Sequence, residues 1–268
     1  MSLIDDLFAR LRTSGEKALM PFVTAGDPDI AFTGRILAEL DRRGCHLAEV
    51  GIPYSDPIAD GPVIQSSYTR ALDRSTTLEQ ILAMLQTRSS SNGMPIVTMV
   101  SFSIVLRWGL ERYIENAKAA GVSGAIVPDL PLEESAALAE ICRREDFSLI
   151  QLVTPTTPRD RALQIAETST GFLYYVSVTG ITGERNDLPP DLIDTVGWLR
   201  EQTPLPVCIG FGISRAAHVQ QLAPVADGLI VGSAIVRRIA TAAQNPPDAV
   251  LEDVGGYVGE LLAALNER

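Results

Sequence analysis

Two carboxylates stand out because of where they lie in the sequence. Glu49 lies inside the apolar run 47–51, where a charged side chain is costly unless it is paired or functional. Burial would raise its pKa toward neutrality, which suits a group that must both give and take protons. Asp60 lies in the loop 53–62, whose prolines and glycine indicate turns. Structural alternatives stay open: Glu49 satisfied by a hydroxyl or backbone donor, and Asp60 as a turn residue only.

Other catalytic side chains are few, and this narrows the chemistry. The histidines are His46 and His218, and the lysines are Lys17 and Lys118. Neither lysine is placed at the carboxyl end of a predicted strand, so a Schiff-base mechanism is not favoured. His46 lies at the wrong end of a strand and His218 within a helical pattern, so both are interpreted as structural. Carboxylates therefore remain as the acid–base groups.

Two glycine turns have the pattern of a phosphate site. One predicted strand ends in the segment 208–214, which contains Gly212, and the next ends in 230–234, which contains Gly232 and Ser233. Glycine lets the backbone approach a ligand closely, and a helix amino terminus offers unpaired N–H groups and a favourable dipole. Either turn alone is explained as a tight turn. Together, on the last two strands, they predict a cradle for a phosphate.

A third loop has a composition typical of a lid. Residues 179–187 read TGITGERND, with two glycines, polar residues and Ile181 as the apolar anchor. Such a segment is expected to close over a bound ligand. An ordinary surface loop is the alternative.

These residues would have to be positioned by an alternating pattern of strands and helices. Short apolar or β-branched runs alternate with longer helical patterns, which is typical of βαβ units. No Gly-x-Gly-x-x-Gly follows the first strand, so an open dinucleotide-binding sheet is not favoured. The sequence therefore predicts an α/β fold, a (β/α)8 TIM barrel, as a single domain over residues 1–268. The strands are predicted at 19–24, 46–51, 95–100, 124–128, 147–153, 172–178, 206–211 and 228–231, and extra helices at 3–12 and about 249–265.

Composition limits the partners. No apolar run approaches the roughly 20 residues needed to span a bilayer, and the acidic amino terminus lacks the order of a signal peptide. A cytoplasmic location is therefore expected. The formal net charge of −11 argues against nucleic acid or an anionic membrane as partner, so an anionic substrate must be held by local dipoles. The three cysteines, Cys45, Cys142 and Cys208, have no metal-ligand spacing, and neither a metal nor a cofactor is expected.

Several segments, in order along essentially the whole chain, resemble the tryptophan synthase alpha subunit family. The most specific is residues 49–62, which read EVGIPYSDPIADGP. The others are PFVTAGDP at 21–28, VPDLP at 127–131, GITG at 180–183, GFG at 210–212 and GS at 232–233.

The resemblance implies cleavage of indole-3-glycerol phosphate to indole and glyceraldehyde 3-phosphate. Glu49 then corresponds to the general acid–base, and Asp60 to the carboxylate that stabilises or removes the indole N–H proton. Phe22 corresponds to an apolar wall of the indole pocket, and Thr182 to a lid hydroxyl that closes toward Asp60. The remaining substrate-binding residues implied by the resemblance are Tyr174, Gly183, Gly210, Phe211, Gly212, Gly232 and Ser233.

The resemblance also implies a partner, the beta subunit of tryptophan synthase, in an α2β2 tetramer. One segment departs from the family pattern: residues 101–106 read SFSIVL, without the family's Tyr and Asn, in a region near the beta-subunit interface. A standalone lyase that releases free indole is the first alternative. A catalytically silent subunit that binds a phosphorylated ligand is the second, and a phosphosugar isomerase is less favoured because no His or Lys lies at a strand end.

Overall fold

The computed structural model describes residues 2–57, 60–88, 93–176, 191–210 and 212–267. Within these ranges nine parallel strands form one sheet in the order β5-β4-β3-β2-β1-β9-β8-β7-β6. Because β5 and β6 are consecutive in the chain yet stand at the two ends of this order, the sheet is a nearly closed barrel. The strands are β1 (Ala18–Thr24), β2 (Ala48–Gly51), β3 (Ile96–Met99), β4 (Val122–Ile126), β5 (Ser148–Ile150), β6 (Leu152–Val153), β7 (Leu173–Val176), β8 (Val207–Gly210) and β9 (Gly228–Val231).

The helices form the outer layer between successive strands. They are α1 (Leu3–Ser14), α2 (Ile30–Arg42), α3 (Pro62–Asp73), α4 (Leu78–Arg88), α5 (Phe102–Trp108), α6 (Leu110–Ala119), α7 (Ala136–Arg144), α8 (Arg159–Thr168), α9 (Leu192–Gln202), α10 (Ala216–Leu222), α11 (Ser233–Ala240) and α12 (Pro247–Asn266). Two short 3-10 turns, Leu132–Glu134 and Thr241–Ala243, complete the set. Among the placed residues, no helix is long and apolar enough to cross a membrane.

The predicted barrel is confirmed, with one strand divided. All eight predicted strand regions contain strand, but the segment 147–153 is interrupted at Gln151. The Gln151 N–H donates to the hydroxyl of Ser169, while its carbonyl accepts from the N–H of Tyr174. The backbone therefore leaves the ladder with β4 at this point and enters the ladder with β7.

Alternation along the strands divides the core into two layers. In β1, Met20 and Phe22 belong to the cluster inside the barrel, whereas Leu19 and Val23 pack between the strands and the helices. Successive side chains of a strand point to opposite faces. A side chain at every second position of a strand therefore points into the barrel, and its height along the strand decides how close it lies to the mouth.

The first helix covers the amino-terminal end of the barrel. Ser2 caps α1 through a capping box with Asp5. The apolar residues Ile4, Leu7, Phe8 and Leu11 of α1 are buried, whereas Leu3 at its start is 64% exposed. The ring of Phe8 lies 5.8 Å from that of Phe172 in the barrel interior. With this end covered, a ligand reaches the interior from the opposite end.

Candidate active site

Glu49 projects from the middle of β2 into the barrel. It lies beside Phe22 of β1 and Val97 of β3 in the strand register, and the residue is 1% exposed. Within the described part of the chain, neither of its carboxylate oxygens has a hydrogen-bond partner. Burial, followed by the negative charge of Asp60, raises the pKa of Glu49 to about 8. Glu49 is therefore a protonated acid at neutral pH, poised to give up its proton.

Asp60 reaches the same region from the loop that precedes α3. Its backbone is held on both sides: the N–H donates to the carbonyl of Pro57 at 3.2 Å, and the carbonyl accepts from the Gln65 side chain at 2.7 Å. Gly61 and Pro62 then begin α3, where proline is favoured because the first helical N–H needs no partner within the helix. Burial raises the pKa of Asp60 to about 6. Asp60 is therefore largely ionised at neutral pH.

One cleft brings the two carboxylates together with the glycine turns. The space inside it, counted out to where it opens to solvent, is about 470 Å³. Its walls are mainly apolar, with the carboxylates as the charged groups among the described lining residues. The described residues that line the cleft are Phe22, Glu49, Asp60, Ile64, Met99, Tyr174, Gly212, Ile213, Ile230, Gly232 and Ser233.

The glycine end of this cleft is built from backbone. Gly212 has φ +80°, and no heavy atom of the described residues lies within 4 Å of where its Cβ would be, so the described part of the chain leaves space beside this turn. Gly232 is the N-cap of α11, which begins at Ser233. The first N–H groups of a helix have no intrahelical acceptor and carry the positive end of its dipole. This end of the cleft can therefore hold an anion. The helix after β8 begins at Ala216, so Gly212 lies in the loop between the two.

Tyr174 and Gly210 act as a pair. A Cβ on Gly210 would lie 2.1 Å from the Tyr174 hydroxyl oxygen, so only glycine leaves room for the phenol there. Gly210 is not among the described residues that line the cleft, and its predicted contact with a ligand stays a prediction. Burial, and then the charges of Glu49 and Asp60, raise the pKa of Tyr174 well above its ordinary value. The phenol therefore stays protonated and can act as a hydrogen-bond donor.

Three predicted site residues, Thr182, Gly183 and Phe211, lie outside the described residues, as does the segment 179–187. The cleft also has walls that sequence reasoning missed, chiefly Ile64, Met99 and Ile230. A usable signal existed for the last two, since each stands at an inward position near the end of a predicted strand.

The remaining reactive side chains lie elsewhere. His46 Nδ1 accepts the N–H of Leu19, and His218 is buried on α10, in agreement with structural roles. Lys17 lies near Asp227, with N and O atoms 3.8 Å apart. The cysteines are buried free thiols. In the part of the chain that the structure describes, no group of three or more His, Cys, Asp or Glu side chains could hold a metal ion.

The fold and the cleft define a TIM barrel with a cleft at the carboxyl ends of its strands that contains two carboxylates. Comparison with known proteins identifies a family within this class. The family model described as tryptophan synthase alpha chain matches residues 8–264. The tryptophan synthase alpha chain of Rhodopirellula baltica is 54% identical over 276 residues, covering 99% of each chain. That of Prochlorococcus marinus is 44% identical, over 97% of this chain and 95% of the relative.

Solved structures agree with this result. Tryptophan synthase subunit alpha from Legionella pneumophila superposes with a TM-score of 0.89 at 31% identity, covering 99% of both chains. A chain of the tryptophan synthase complex from Pyrococcus furiosus superposes with a TM-score of 0.83 at 35% identity, covering 92% of this chain and 99% of that one. The chain belongs to the tryptophan synthase alpha chain family.

Proposed function

We propose that this chain cleaves indole-3-glycerol phosphate to indole and glyceraldehyde 3-phosphate in a retro-aldol reaction. Its family gives it the role of an alpha subunit in tryptophan biosynthesis. The observation that carries the proposed chemistry is that Glu49 and Asp60 line one cleft with Gly212, Gly232 and Ser233. The carboxylates can act on a carbon that accepts a proton, and the glycine turns can hold a phosphate. A substrate with such a carbon at one end and a phosphate at the other therefore fits the cleft.

The reaction needs two carboxylates in different protonation states. Protonated Glu49 gives its proton to indole C3, which makes that carbon able to leave, and the positive charge develops on the ring N–H. Ionised Asp60 stabilises this charge. The carboxylate of Glu49 then takes the proton of the glycerol hydroxyl while the bond between C3 and the carbinol carbon breaks. The electrons of that bond return to the indole ring, and the carbinol carbon becomes the aldehyde. Glu49 ends the cycle protonated, so no external acid or base is consumed.

The pKa values support this assignment. Glu49 has the higher pKa, about 8, and Asp60 the lower, about 6. Between these values the pair holds one proton on Glu49 and one charge on Asp60. Environments that separate the pKa values of two neighbouring acids are typical of acid–base sites.

The phosphate is assigned to the glycine end. Among the described residues that line the cleft, there is neither lysine nor arginine. Peptide N–H groups near Gly212 and at the start of α11 are then the donors, and the dipole of α11 supplies the favourable charge. Phe22 packs near this end, with its Cβ 3.5 Å from where a Cβ on Gly232 would lie, and forms an apolar wall for the indole ring.

A beta subunit is the proposed partner, in an α2β2 assembly, and the proposed location is the cytoplasm. The Pyrococcus furiosus relative was solved as part of a tryptophan synthase complex. The experiment is turnover of indole-3-glycerol phosphate by the purified chain, alone and with a tryptophan synthase beta subunit. A strong increase on addition supports the subunit role, and full activity without it supports the standalone lyase.

Variants test whether the carboxylates do the chemistry. Glu49→Gln is expected to lose several orders of magnitude in kcat with substrate binding largely kept, because it removes the proton donor and keeps the shape. Asp60→Asn is expected to lose activity as well, while Asp73→Asn, exposed at the end of α3, should match the wild type. Wild-type turnover by Glu49→Gln would rule out this mechanism. Absence of turnover in all chains, including the wild type with a beta subunit, would favour the silent binding subunit.

A further inference from the structure

Tyr68 is a buried phenol beside the carboxylate pair that neither the sequence motifs nor the proposed reaction uses. It stands in the second turn of α3 and is 3% exposed. Although α3 belongs to the outer layer, the Tyr68 ring packs with the cluster inside the barrel. The ring therefore reaches from the helix layer across the strand ends into the mouth of the barrel.

The position of the hydroxyl is set by Gly51. A Cβ on Gly51 would lie 2.9 Å from Tyr68 Oη and 2.5 Å from Phe22 Cζ. Gly51 follows Glu49 by two positions on β2, so the two residues face the same side of the strand. The Tyr68 hydroxyl thus occupies the space directly beyond Glu49 toward the mouth, and the absent side chain of Gly51 makes room for it.

Asp60 connects the surroundings of Tyr68 with the cleft. Tyr68 lines a second cavity of about 360 Å³, which also has Asp60 and Met99 in its walls. Asp60 and Met99 line the first cleft too. Asp60 therefore borders both spaces, and it shares the second one with Tyr68.

Both phenols of the site are affected by the charges of both acids. Burial raises the pKa of Tyr68 well above its ordinary value, with the charge of Asp60 as the next cause and that of Glu49 after it. For Tyr174 the order of the two charges is reversed, with Glu49 before Asp60. Both phenols keep their protons and remain donors. A buried carboxylate ionises more easily when a hydroxyl donates to it.

We propose that Tyr68 is a positioning residue of the active site, whose hydroxyl donates a hydrogen bond to Asp60 when that carboxylate is ionised. The proposal rests on the proposed function for its catalytic consequence, since ionised Asp60 is the form that supports the charge on the indole N–H. Without the phenol, Asp60 would have to ionise in the same buried environment with one hydrogen-bond donor fewer.

Other titratable groups face Tyr68 from the elements packed around it. Glu49 faces it from β2, Asp56 and Tyr54 line the same cavity from the loop before α3, and Asp129 lines it from the loop after β4. Asp129 accepts from the Ser101 hydroxyl and the Phe102 N–H, and Asp56 accepts from the Ser55 hydroxyl. These two carboxylates therefore have donors of their own, and the effect of Tyr68 is expected at Asp60.

The test compares Tyr68→Phe with a matched control, Tyr113→Phe. Tyr113 is also fully buried, and its hydroxyl bonds to Thr98 in the layer between strands and helices. Carbon-13 NMR of labelled aspartate follows the titration of Asp60, whose signal is identified by its absence in Asp60→Asn. In Tyr68→Phe the midpoint is expected to move up by about one pH unit, as loss of a hydrogen bond to the charged form requires. In Tyr113→Phe it should not move.

The catalytic readout follows from that shift. A midpoint moved from about 6 to about one pH unit higher leaves roughly a fifth of the ionised Asp60 at pH 6. Hence kcat/KM at pH 6 is expected to fall about fivefold in Tyr68→Phe, and to change little near pH 8. A merely structural loss of the hydroxyl would lower kcat/KM equally at all pH values.

Each part of this experiment can overturn the proposal. An Asp60 midpoint that is unchanged in Tyr68→Phe, or that moves equally in Tyr113→Phe, would refute it. A measurement on the wild type makes the outcome independent of the folding of the variants: the ring-carbon signal of Tyr68 next to its hydroxyl should titrate with the midpoint of Asp60. Because the NMR titrations need no substrate, they can fail while indole-3-glycerol phosphate is still cleaved, and succeed when it is not.

Discussion

At the scale of single residues, the site depends on two acids that hold one proton between them. The active form has Glu49 protonated and Asp60 ionised, so kcat/KM should follow a bell-shaped pH profile. Its acid limb lies near pH 6, where Asp60 takes up a proton, and its basic limb near pH 8, where Glu49 loses one. Steady-state kinetics of the wild type between pH 5 and about 9.5 measures both limbs.

The coupling between the acids gives this prediction a control. Part of the high pKa of Glu49 comes from the charge of Asp60. In Asp60→Asn that charge is gone, so the basic limb of the residual activity should move to lower pH. A basic limb that stays in place would mean that another group than Glu49 titrates there.

Glu49 should also make the wild type less stable as the pH rises. In the unfolded chain a glutamic acid ionises near pH 4.5, whereas folded Glu49 keeps its proton to about pH 8. Stability that is present below about pH 4.5 is therefore lost as the pH rises toward 8, by roughly 3 to 5 kcal/mol at most. Glu49→Gln has no such loss, so its advantage in Tm over the wild type should grow from pH 5 to 8.

Thermal unfolding followed by circular dichroism at several pH values measures this difference. Glu134→Gln, an exposed site in the 3-10 turn before α7, serves as the control and should track the wild type throughout. A Glu49→Gln variant with the same pH dependence of Tm as the wild type would show that Glu49 is ionised in the folded protein.

At the scale of elements, α3 is the helix that carries two site residues the sequence did not indicate. It begins two residues after Asp60 and contributes Ile64 and Tyr68. Two polar contacts fasten it to the end of β1 and the loop beyond: the hydroxyls of Thr24 and Ser67 lie 2.6 Å apart, and Arg70 binds Asp27 with both Nε and Nη2. The position of Asp60 therefore depends on contacts outside the cleft.

Arg70→Met is expected to loosen this attachment. Asp27 is 2% exposed and would be left as a buried carboxylate without its partner. Because Arg70 itself is partly exposed, we expect a loss of about 1 to 3 kcal/mol rather than the larger figures measured for fully buried pairs. Chemical denaturation measures the loss, and kcat/KM for indole-3-glycerol phosphate should fall with it.

The matched control removes an exposed ion pair of similar geometry. Arg161 binds Glu133 with two nitrogens at 2.6 and 3.0 Å, but both side chains are well exposed. Arg161→Met should lower the free energy of unfolding much less than Arg70→Met does, because solvent screens an exposed ion pair, and it should leave kcat/KM unchanged. Equal losses in the two variants would mean that the burial of Asp27 does not matter.

At the scale of the whole molecule, a net charge of −11 opposes the approach of a phosphorylated substrate. Local peptide dipoles act on the phosphate once it is bound. The electric field of the net negative charge instead repels the approaching substrate over about 10 Å, and salt screens this repulsion. We expect kcat/KM to rise about two- to threefold between 10 and 150 mM NaCl. The control is kcat at saturating substrate, which should stay constant. A fall in kcat/KM with salt would reveal a positive local field that guides the substrate.

The barrel and much of the site followed from sequence pattern, and particular residues show why. Apolar runs at regular intervals predicted the strands, and the position of Glu49 within one such run indicated a buried carboxylate with a raised pKa, which agrees with its burial in the structure. The division of the fifth strand at Gln151 was not predictable, since it depends on a hydroxyl of Ser169 that folding brings beside it. The single domain over residues 1–268 and the contacts of Thr182, Gly183 and Phe211 stay predictions.

By itself, the sequence determined the order of strands and helices, the acids available for chemistry and the glycine turns that can hold an anion. These properties depend on the spacing of residues near one another in the chain. Only the tertiary structure decided which distant side chains meet: Tyr68 beside Gly51, Tyr174 against Gly210, and Asp60 at the border of two cavities. Such contacts depend on how far a helix is turned about its axis and on the register between strands, and no local pattern records either.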